Sequence, residues 1–315
     1  MVKYKNVWSK IMNQNVINEL YRIVGEKNVK LEEPMCKHTT FRIGGPVQAF
    51  VTPQTTEELG QIVLLCNAEK TPFFMLGHGS NLLVGDGGME GVVIQLYNNY
   101  SNFIIEGTTV KAQAGIMLCK LGQEIRDAGL TGFEFAAGIP GTLGGAIMMN
   151  AGAYGGEMKD IVTSVQLMDL NGNLFEKSGE EMEFAYRHSI VEEKKYIILG
   201  AALALQYGDR KTIANRMEEL AIARKTKQPL EFPSAGSTFK RPEGYFAGKL
   251  IMDAGLQGYQ VGGAQVSEKH CGFVVNKGNA TAADVIQLIT DVKQKVYDRF
   301  QVELEPEVKM VGEFR

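Results

Sequence analysis

The chain is poor in several things that would each have pointed to a class of protein. It has 9 prolines in 315 residues, too few for the Pro/Gly mixture of a linker or low-complexity tail. Its four cysteines, Cys36, Cys66, Cys119 and Cys271, lie far apart, with no Cys-x-x-Cys and no histidine at metal-ligand spacing. That pattern predicts neither a disulfide framework nor a structural zinc, only reduced and mostly buried thiols in a cytosolic protein. No block of five or six like charges occurs, and 33 basic against 36 acidic residues leave a net charge of −3, which favours neither nucleic acid nor an anionic membrane as partner. The longest apolar run, Ile197–Leu205, is too short to span a bilayer, and residues 1–10 lack the apolar core and cleavage site of a signal peptide. A soluble, cytoplasmic protein is expected.

Glycine is in excess. There are 36, about 11% against roughly 7% in ordinary proteins. Six fall between Gly77 and Gly91 and seven between Gly138 and Gly156, so the excess is local. Such clustering marks positive-φ backbone or close approach of backbone to a ligand.

Helical spacing over residues 8–25 (Ile11, Val16, Ile17, Leu20, Ile23, Val24) predicts a helix closed by Gly25. A short strand is expected at 49–51, a helix from Thr56 to about Lys70 with Leu59, Ile62, Val63, Leu65 and Cys66 inward, and strands at 73–76 and 92–96. Between Phe103 and Leu205 short β segments with turn signals, Asn171-Gly172-Asn173 among them, surround a helix at 117–128. Beyond residue 210 the pattern changes to long amphipathic helices at 211–226, 246–255 and 282–300 with glycine-rich strands between, and Val302–Phe314 alternates as a strand. The fold class is α+β, since the βαβαβ run of a doubly wound sheet is missing.

Gly77-His78-Gly79-Ser80-Asn81-Leu82 follows a buried strand, and consecutive small residues there let backbone N–H groups converge on phosphate oxygens. The segment Gly138-Ile139-Pro140-Gly141-Thr142-Leu143-Gly144-Gly145-Ala146, continuing through Asn150, Gly152, Ala153 and Tyr154, leaves little side chain to fill a core. A diphosphate and a flavin or nicotinamide ring would fill it; a tightly packed glycine-rich β-structure is the alternative. Neither segment is a Walker A loop or a dinucleotide fingerprint in its usual setting. Arg187, in Tyr186-Arg187-His188-Ser189, can clamp a carboxylate in fork geometry or make an ordinary surface ion pair. Gly236 permits a sharp turn presenting Ser237, and without a Gly-x-Ser-x-Gly elbow that serine is no hydrolase nucleophile but can still donate a proton. Glu303, Glu305 and Glu307 alternate, which predicts one solvated face, with one of them at the strand end facing a cofactor as the minority reading. His270 is the remaining single-residue candidate, and a lone histidine is more often structural.

Taken in order, HTTFRIGG (38–45), GHGSNLLV (77–84), GFEFAAGIPGTLGGAIMMNAGAYGGEM (132–158), YRHSI (186–190), PSAGSTFKRP (233–242), GGAQVSEKHCGFVVN (262–276) and LEPEVKMVG (304–312) closely resemble the UDP-N-acetylenolpyruvoylglucosamine reductase (UDP-N-acetylmuramate dehydrogenase) family. The resemblance covers residues 36 to 312. It implies an FAD-binding domain of the vanillyl-alcohol-oxidase (PCMH) type over 36–208, in two subdomains split near 100. A smaller α+β substrate-binding domain over 210–301 follows, then a C-terminal strand over 302–315 returning toward the FAD domain, with residues 1–35 as a helical segment ahead of it all. It implies non-covalent FAD on Gly77, Gly79, Ser80, Asn81, Leu82 and the Gly138–Tyr154 stretch, including Asn150, with NADPH as co-substrate. It further implies a catalytic set of Arg187, Ser237 and Glu307, and substrate contacts at Tyr186, Lys227, Arg241, Gln265 and His270. No metal is implied, and a monomer or weak homodimer is expected. The chain passes from YRHS directly to EEKKYIILG, without the insertion whose tyrosine covers the substrate in one subgroup, so it resembles the shorter type II form. Two rivals stand beside this reading. One is a flavin oxidase of the same fold with covalent FAD, for which His38, His78 and Cys119 are the candidate attachment points; the other is a nucleotide-binding module without catalysis.

Overall fold

The computed structural model describes residues 12–314. Asn13 caps the first helix, Gln14–Val24, which buries Val16, Ile17, Leu20 and Val24 and ends at Gly25 (φ +80°). Ile11 of the expected helical pattern lies outside the described residues. The helix Thr56–Ala68 starts where Thr55 accepts a hydrogen bond from the Glu58 N–H, with Glu57 and Glu58 at its positive end. It crosses between parallel strands Pro46–Val51 and Phe73–Leu76, which flank the central strand Met89–Gln95, and Val29–Pro34 adds an antiparallel edge. Its buried face is Leu59, Ile62, Val63 and Cys66; Leu65 is only partly covered.

A five-stranded antiparallel sheet follows, in the order Leu174–Ser178, Val162–Met168, Ile197–Ala204, Thr109–Gln113, Phe103–Glu106. Its hairpins turn at Gly107 (φ +62°) and Gly172 (φ +79°), and the helices Leu118–Asp127 and Leu143–Met148 close one side. One apolar cluster runs from Val16 and Leu59 through Val110 and Leu167 to Leu203, so the two sheets share a core.

The last region has a four-stranded antiparallel sheet, Ser234–Ser237, Phe273–Asn276, Ala264–Val266, Gln260–Val261, backed by the helices Ala247–Asp253 and Ala282–Phe300. The second of these buries Val285, Leu288, Ile289, Val292 and Val296 at helical spacing, each side chain contributing at most about 2 kcal/mol. That core also takes in Phe41, Ile43 and Leu83 from the front of the chain and Leu304 and Val308 from its end. The carboxylate of Asp86 accepts hydrogen bonds from Ala282 N (2.8 Å) and Ala283 N (3.0 Å), binding the first glycine cluster to this helix.

Two expectations change. The helix Arg210–Lys227 buries only Ile213 and Leu220, because charged residues occupy every face; it is a connector rather than an amphipathic core helix. The end of the chain is a strand only at Lys309–Val311, paired in parallel with Leu82–Val84. Pro306 bridges to Phe239 and breaks the alternation, so Glu303 and Glu305 face solvent while Glu307 turns inward.

Candidate functional site

A cleft of about 1750 Å³ lies where the three sheets meet. A single small ligand occupies roughly 300–1,000 Å³, so this cleft has room for a dinucleotide and a second molecule together. It is lined by Gly77, Gly79, Ser80, Asn81 and Leu82 of the first glycine segment and by Ile139, Pro140, Gly141, Gly145, Ala146, Gly152, Ala153 and Tyr154 of the second.

The two segments touch. A Cβ at Gly77 would come within 2.4 Å of the Thr142 Oγ1, the same hydroxyl that caps the helix Leu143–Met148. At Gly79 φ is +69°, and a Cβ would lie 2.1 Å from the His38 carbonyl oxygen. These two glycines are therefore demanded by the chain's own packing, Gly77 against the second glycine segment and Gly79 against His38 and Thr39, with Ser80, Asn81, Gly141 and Gly145 lining the cleft beside them. Three predicted positions stand behind that surface. A Cβ at Gly144 would meet the Ala114 Cβ at 2.9 Å, so this glycine serves helix-to-strand packing. Gly138 abuts Arg224. Asn150 is buried and ties three strands of chain together, donating to the Glu157 carboxylate and the Ala185 carbonyl while accepting from Lys159 N–H.

Arg187, Ser237 and Glu307, separated by up to 120 residues, all line the cleft. Arg187 sits at the tip of a tight turn in which Ala185 and His188 exchange two 3.2 Å backbone hydrogen bonds. Its φ of +56° costs a non-glycine residue about 1 kcal/mol. That strain aims the guanidinium at Glu307, with Nε 2.6 Å from Oε1. Burial pushes the Glu307 carboxyl above its ordinary range, and the Arg187 charge only partly offsets this. Ser237 ends its strand after a register shift, and Gly236 (φ +78°, open space around it) makes a bulge where the sequence anticipates a sharp turn. The next residue, Thr238, accepts the Glu307 N–H through its carbonyl oxygen at 2.8 Å, so serine and glutamate are joined by one peptide contact.

Of the predicted substrate contacts, Lys227 and His270 line the cleft; burial holds His270 below the ordinary histidine range. Tyr186 and Arg241 meet each other outside the lining: the tyrosine oxygen accepts the Arg241 N–H at 3.1 Å, Arg187 stacks over the tyrosine ring, and Arg241 stacks over Phe246. Gln265 also lies outside it, bonded to Gln260 across its hairpin.

In the sequence the basic run Arg224-Lys225-Thr226-Lys227 reads as a solvated helix end, but Arg224 turns into the cleft. It half-buries itself in the cleft wall over the Tyr154 ring, and burial lowers its pKa. Its helical spacing from Lys227 was the signal available. Every carboxylate in the lining is paired: Glu192 with Lys309, Glu231 with Lys269, Glu307 with Arg187. Arg42, Lys195, Arg224 and Lys227 line the same cleft and have no carboxylate partner among the described residues. Such an excess of positive charge beside small-residue backbone fits the diphosphate of a dinucleotide. His38 and His78, stacked on Phe50 and Tyr97, line the cleft; Cys119 does not. Among the described residues no group of histidine, cysteine and carboxylate side chains could hold a metal, and no helix is long and apolar enough to cross a membrane.

Sheet arrangement and cleft chemistry fit a dinucleotide-binding domain with an appended α+β domain. The FAD binding domain model matches residues 47–178, and the model of the UDP-N-acetylenolpyruvoylglucosamine reductase C-terminal domain matches residues 228–311. A protein of that name from Clostridioides difficile (strain 630) is 54% identical over 301 residues, 96% of this chain and 99% of the relative. The crystal structure of the Thermus caldophilus enzyme superposes with a TM-score of 0.78 at 37% identity, covering 90% of this chain and 97% of that one. Alkyldihydroxyacetonephosphate synthase, at 16% identity and a TM-score of 0.50 over 65% of this chain, shares the fold alone. The chain belongs to the UDP-N-acetylenolpyruvoylglucosamine reductase family, and its cofactor is FAD.

Proposed function

We propose that this protein reduces the enolpyruvyl ether of a UDP-N-acetylglucosamine to the lactyl ether of UDP-N-acetylmuramate, with NADPH as electron source, in a cytoplasmic step of peptidoglycan synthesis. The observation that carries this reading is the meeting of Arg187, Glu307 and Ser237 in one cleft beside both glycine segments, in a chain of this family.

Arg42, Lys195, Arg224 and Lys227 supply the positive charge for the diphosphates, and the Ser80–Leu82 and Gly141–Ala146 surfaces hold the dinucleotide. Bound FAD would supply the hydride chemistry that links NADPH to the terminal vinyl carbon. The remaining chemistry belongs to the protein. Negative charge builds on the substrate carboxylate as an enolate, and the Arg187 guanidinium, pre-aimed by its strained turn, stabilises it at the moment it develops. The Glu307 carboxyl, raised by burial, holds Arg187 in place and in its protonated form offers the enolate a hydrogen bond. The Ser237 hydroxyl delivers the proton to the α-carbon. A serine is a weak acid, and it suffices because the enolate is strongly basic and the geometry fixed.

Replacing Ser237 with Ala tests the assignment. Anaerobic bleaching of the flavin by NADPH keeps its rate, while return of colour on adding the enolpyruvyl sugar nucleotide slows by about 10²-fold or more. Equal loss in both half-reactions would make Ser237 a structural residue.

A further inference from the structure

The first glycine cluster runs on past the cleft, and its second half, Gly85-Asp86-Gly87-Gly88, holds something other than a cofactor. A Cβ at Gly85 would stand 2.2 Å from the Glu313 carbonyl oxygen, and its three nearest contacts all belong to Glu313 and Phe314. A Cβ at Gly87 would stand 2.8 Å from the Glu313 Cβ. The reverse fit also holds, since Gly312, at φ +86°, lies against the Gly88 carbonyl. Three backbone hydrogen bonds of 2.9 Å lock the contact: Gly85 N to Val311 O, Gly87 N to Glu313 O, and Glu313 N to Gly88 O. Upstream the parallel pairing of Lys309–Val311 with Leu82–Val84 continues the seam, and Lys309 N donates to Asn81 O at 3.0 Å.

We infer that Gly85 and Gly87 are positioning residues for the reduction: they form a cradle for segment 309–314, and the docked segment sets the place of the Glu307 carboxyl in the cleft. Only Val308, buried, separates Glu307 from the docked strand. The Glu307 backbone is then gripped from both sides, its N–H by Thr238 O at 2.8 Å and its carbonyl by the Asn81 side-chain amide at 3.3 Å. Asp86 caps the helix Ala282–Phe300 from the same loop, so the cradle is fixed to the region that carries Ser237. A loop of glycines that reads as ligand-binding in the sequence thus serves to bring the last turn of chain into the site. The inference rests on the role proposed above for Glu307.

The test is a double-mutant cycle on the FAD-loaded protein, read on the two half-reactions separately. Neither Gly85 nor Gly87 has a positive φ, so an added methyl reports the tail contact and not backbone strain. Gly85→Ala is expected to keep its FAD and its rate of reduction by NADPH, while reoxidation by the enolpyruvyl sugar nucleotide slows about 10- to 100-fold, as for a reacting group displaced by about an ångström. Gly87→Ala, the milder intrusion, gives a smaller loss of the same kind and serves if Gly85→Ala does not fold. Glu307→Ala combined with either variant shows no further loss, because the cradle acts through Glu307. In a chain lacking residues 312–315, already slow in reoxidation, Gly85→Ala changes nothing more. Equal slowing of both half-reactions, or full additivity with Glu307→Ala, would overturn the proposal. Should Glu307→Ala alone leave reoxidation at the parent rate, the assigned role of Glu307 fails and takes the cradle's with it; if Glu307→Ala is slow and Gly85→Ala is not, the cradle alone is refuted.

Discussion

Replacing Arg224 by methionine should move the stability of the apoprotein and its affinity for FAD in opposite directions. Arg224 is half-buried in the cleft wall, its pKa is lowered by desolvation, and it has no carboxylate partner among the described residues. Its guanidinium carbon stands 5.9 Å from the Tyr154 ring centroid. A buried cation without a counter-charge destabilises the state that contains it, by several kcal/mol when fully enclosed. Screening through the open side of the cleft reduces this to about 1 kcal/mol. Methionine fills similar space without the charge, so the cofactor-free protein should gain about 1 kcal/mol in urea unfolding. A charge-assisted hydrogen bond to an anionic ligand contributes about 1.5–3 kcal/mol, so the same change should weaken FAD binding by roughly 10- to 100-fold. Calorimetric titration of the apoprotein with FAD measures the second quantity. A destabilised apoprotein that binds FAD as tightly as the parent would refute the assignment and make Arg224 a packing residue.

Gly79→Ala should destabilise the apoprotein by about 2–4 kcal/mol in urea unfolding, combining the left-handed strain with a methyl forced against the His38 carbonyl; a change below about 0.5 kcal/mol would show that the two loops are not locked together there. Stability of the apoprotein should rise with pH across the histidine range. Burial depresses the pKa values of His38, His78 and His270, so the folded state binds fewer protons than the unfolded one in the window below the ordinary value of 6.5. Stability present above that window is therefore lost as pH falls through it, which thermal melts from about pH 7.5 down to about pH 5.5 will detect. A melting temperature flat or rising on acidification contradicts the burial of these rings.

Much of this molecule was legible in its sequence because periodicity and turn chemistry are local. The helix Ala282–Phe300 falls where the pattern sets it, since it buries one face and opens at its own Thr281 cap, and the strand Phe73–Leu76 keeps its expected bounds although only Leu76 is fully buried. The order of short motifs carried the family and with it the cofactor. What was illegible depended on distant contacts. The inward turn of Glu307, against its solvated neighbours Glu303 and Glu305, follows from the Pro306–Phe239 bridge, which alternation along the chain does not contain. The helix Arg210–Lys227, amphipathic by its spacing, is a charged connector that sets Arg224 and Lys227 in the cleft lining. Glycine counting located two loops but could not say which glycines the chain's own packing requires: a Cβ at Gly77, Gly79, Gly85 or Gly144 would strike other parts of the chain. Tyr186 and Arg241, expected on the substrate, meet through the Arg241 N–H and the tyrosine oxygen outside the cleft lining, a contact between segments 55 residues apart.

The central claim is that one flavin in this cleft carries electrons from NADPH to an enolpyruvyl sugar nucleotide. An anaerobic titration of the purified, FAD-loaded protein tests it directly. One equivalent of NADPH should abolish the yellow flavin absorbance, and one equivalent of the enolpyruvyl compound should restore it fully, with the lactyl ether as product. A protein that takes up no FAD, or a reduced flavin that the enolpyruvyl sugar nucleotide leaves bleached, would contradict it.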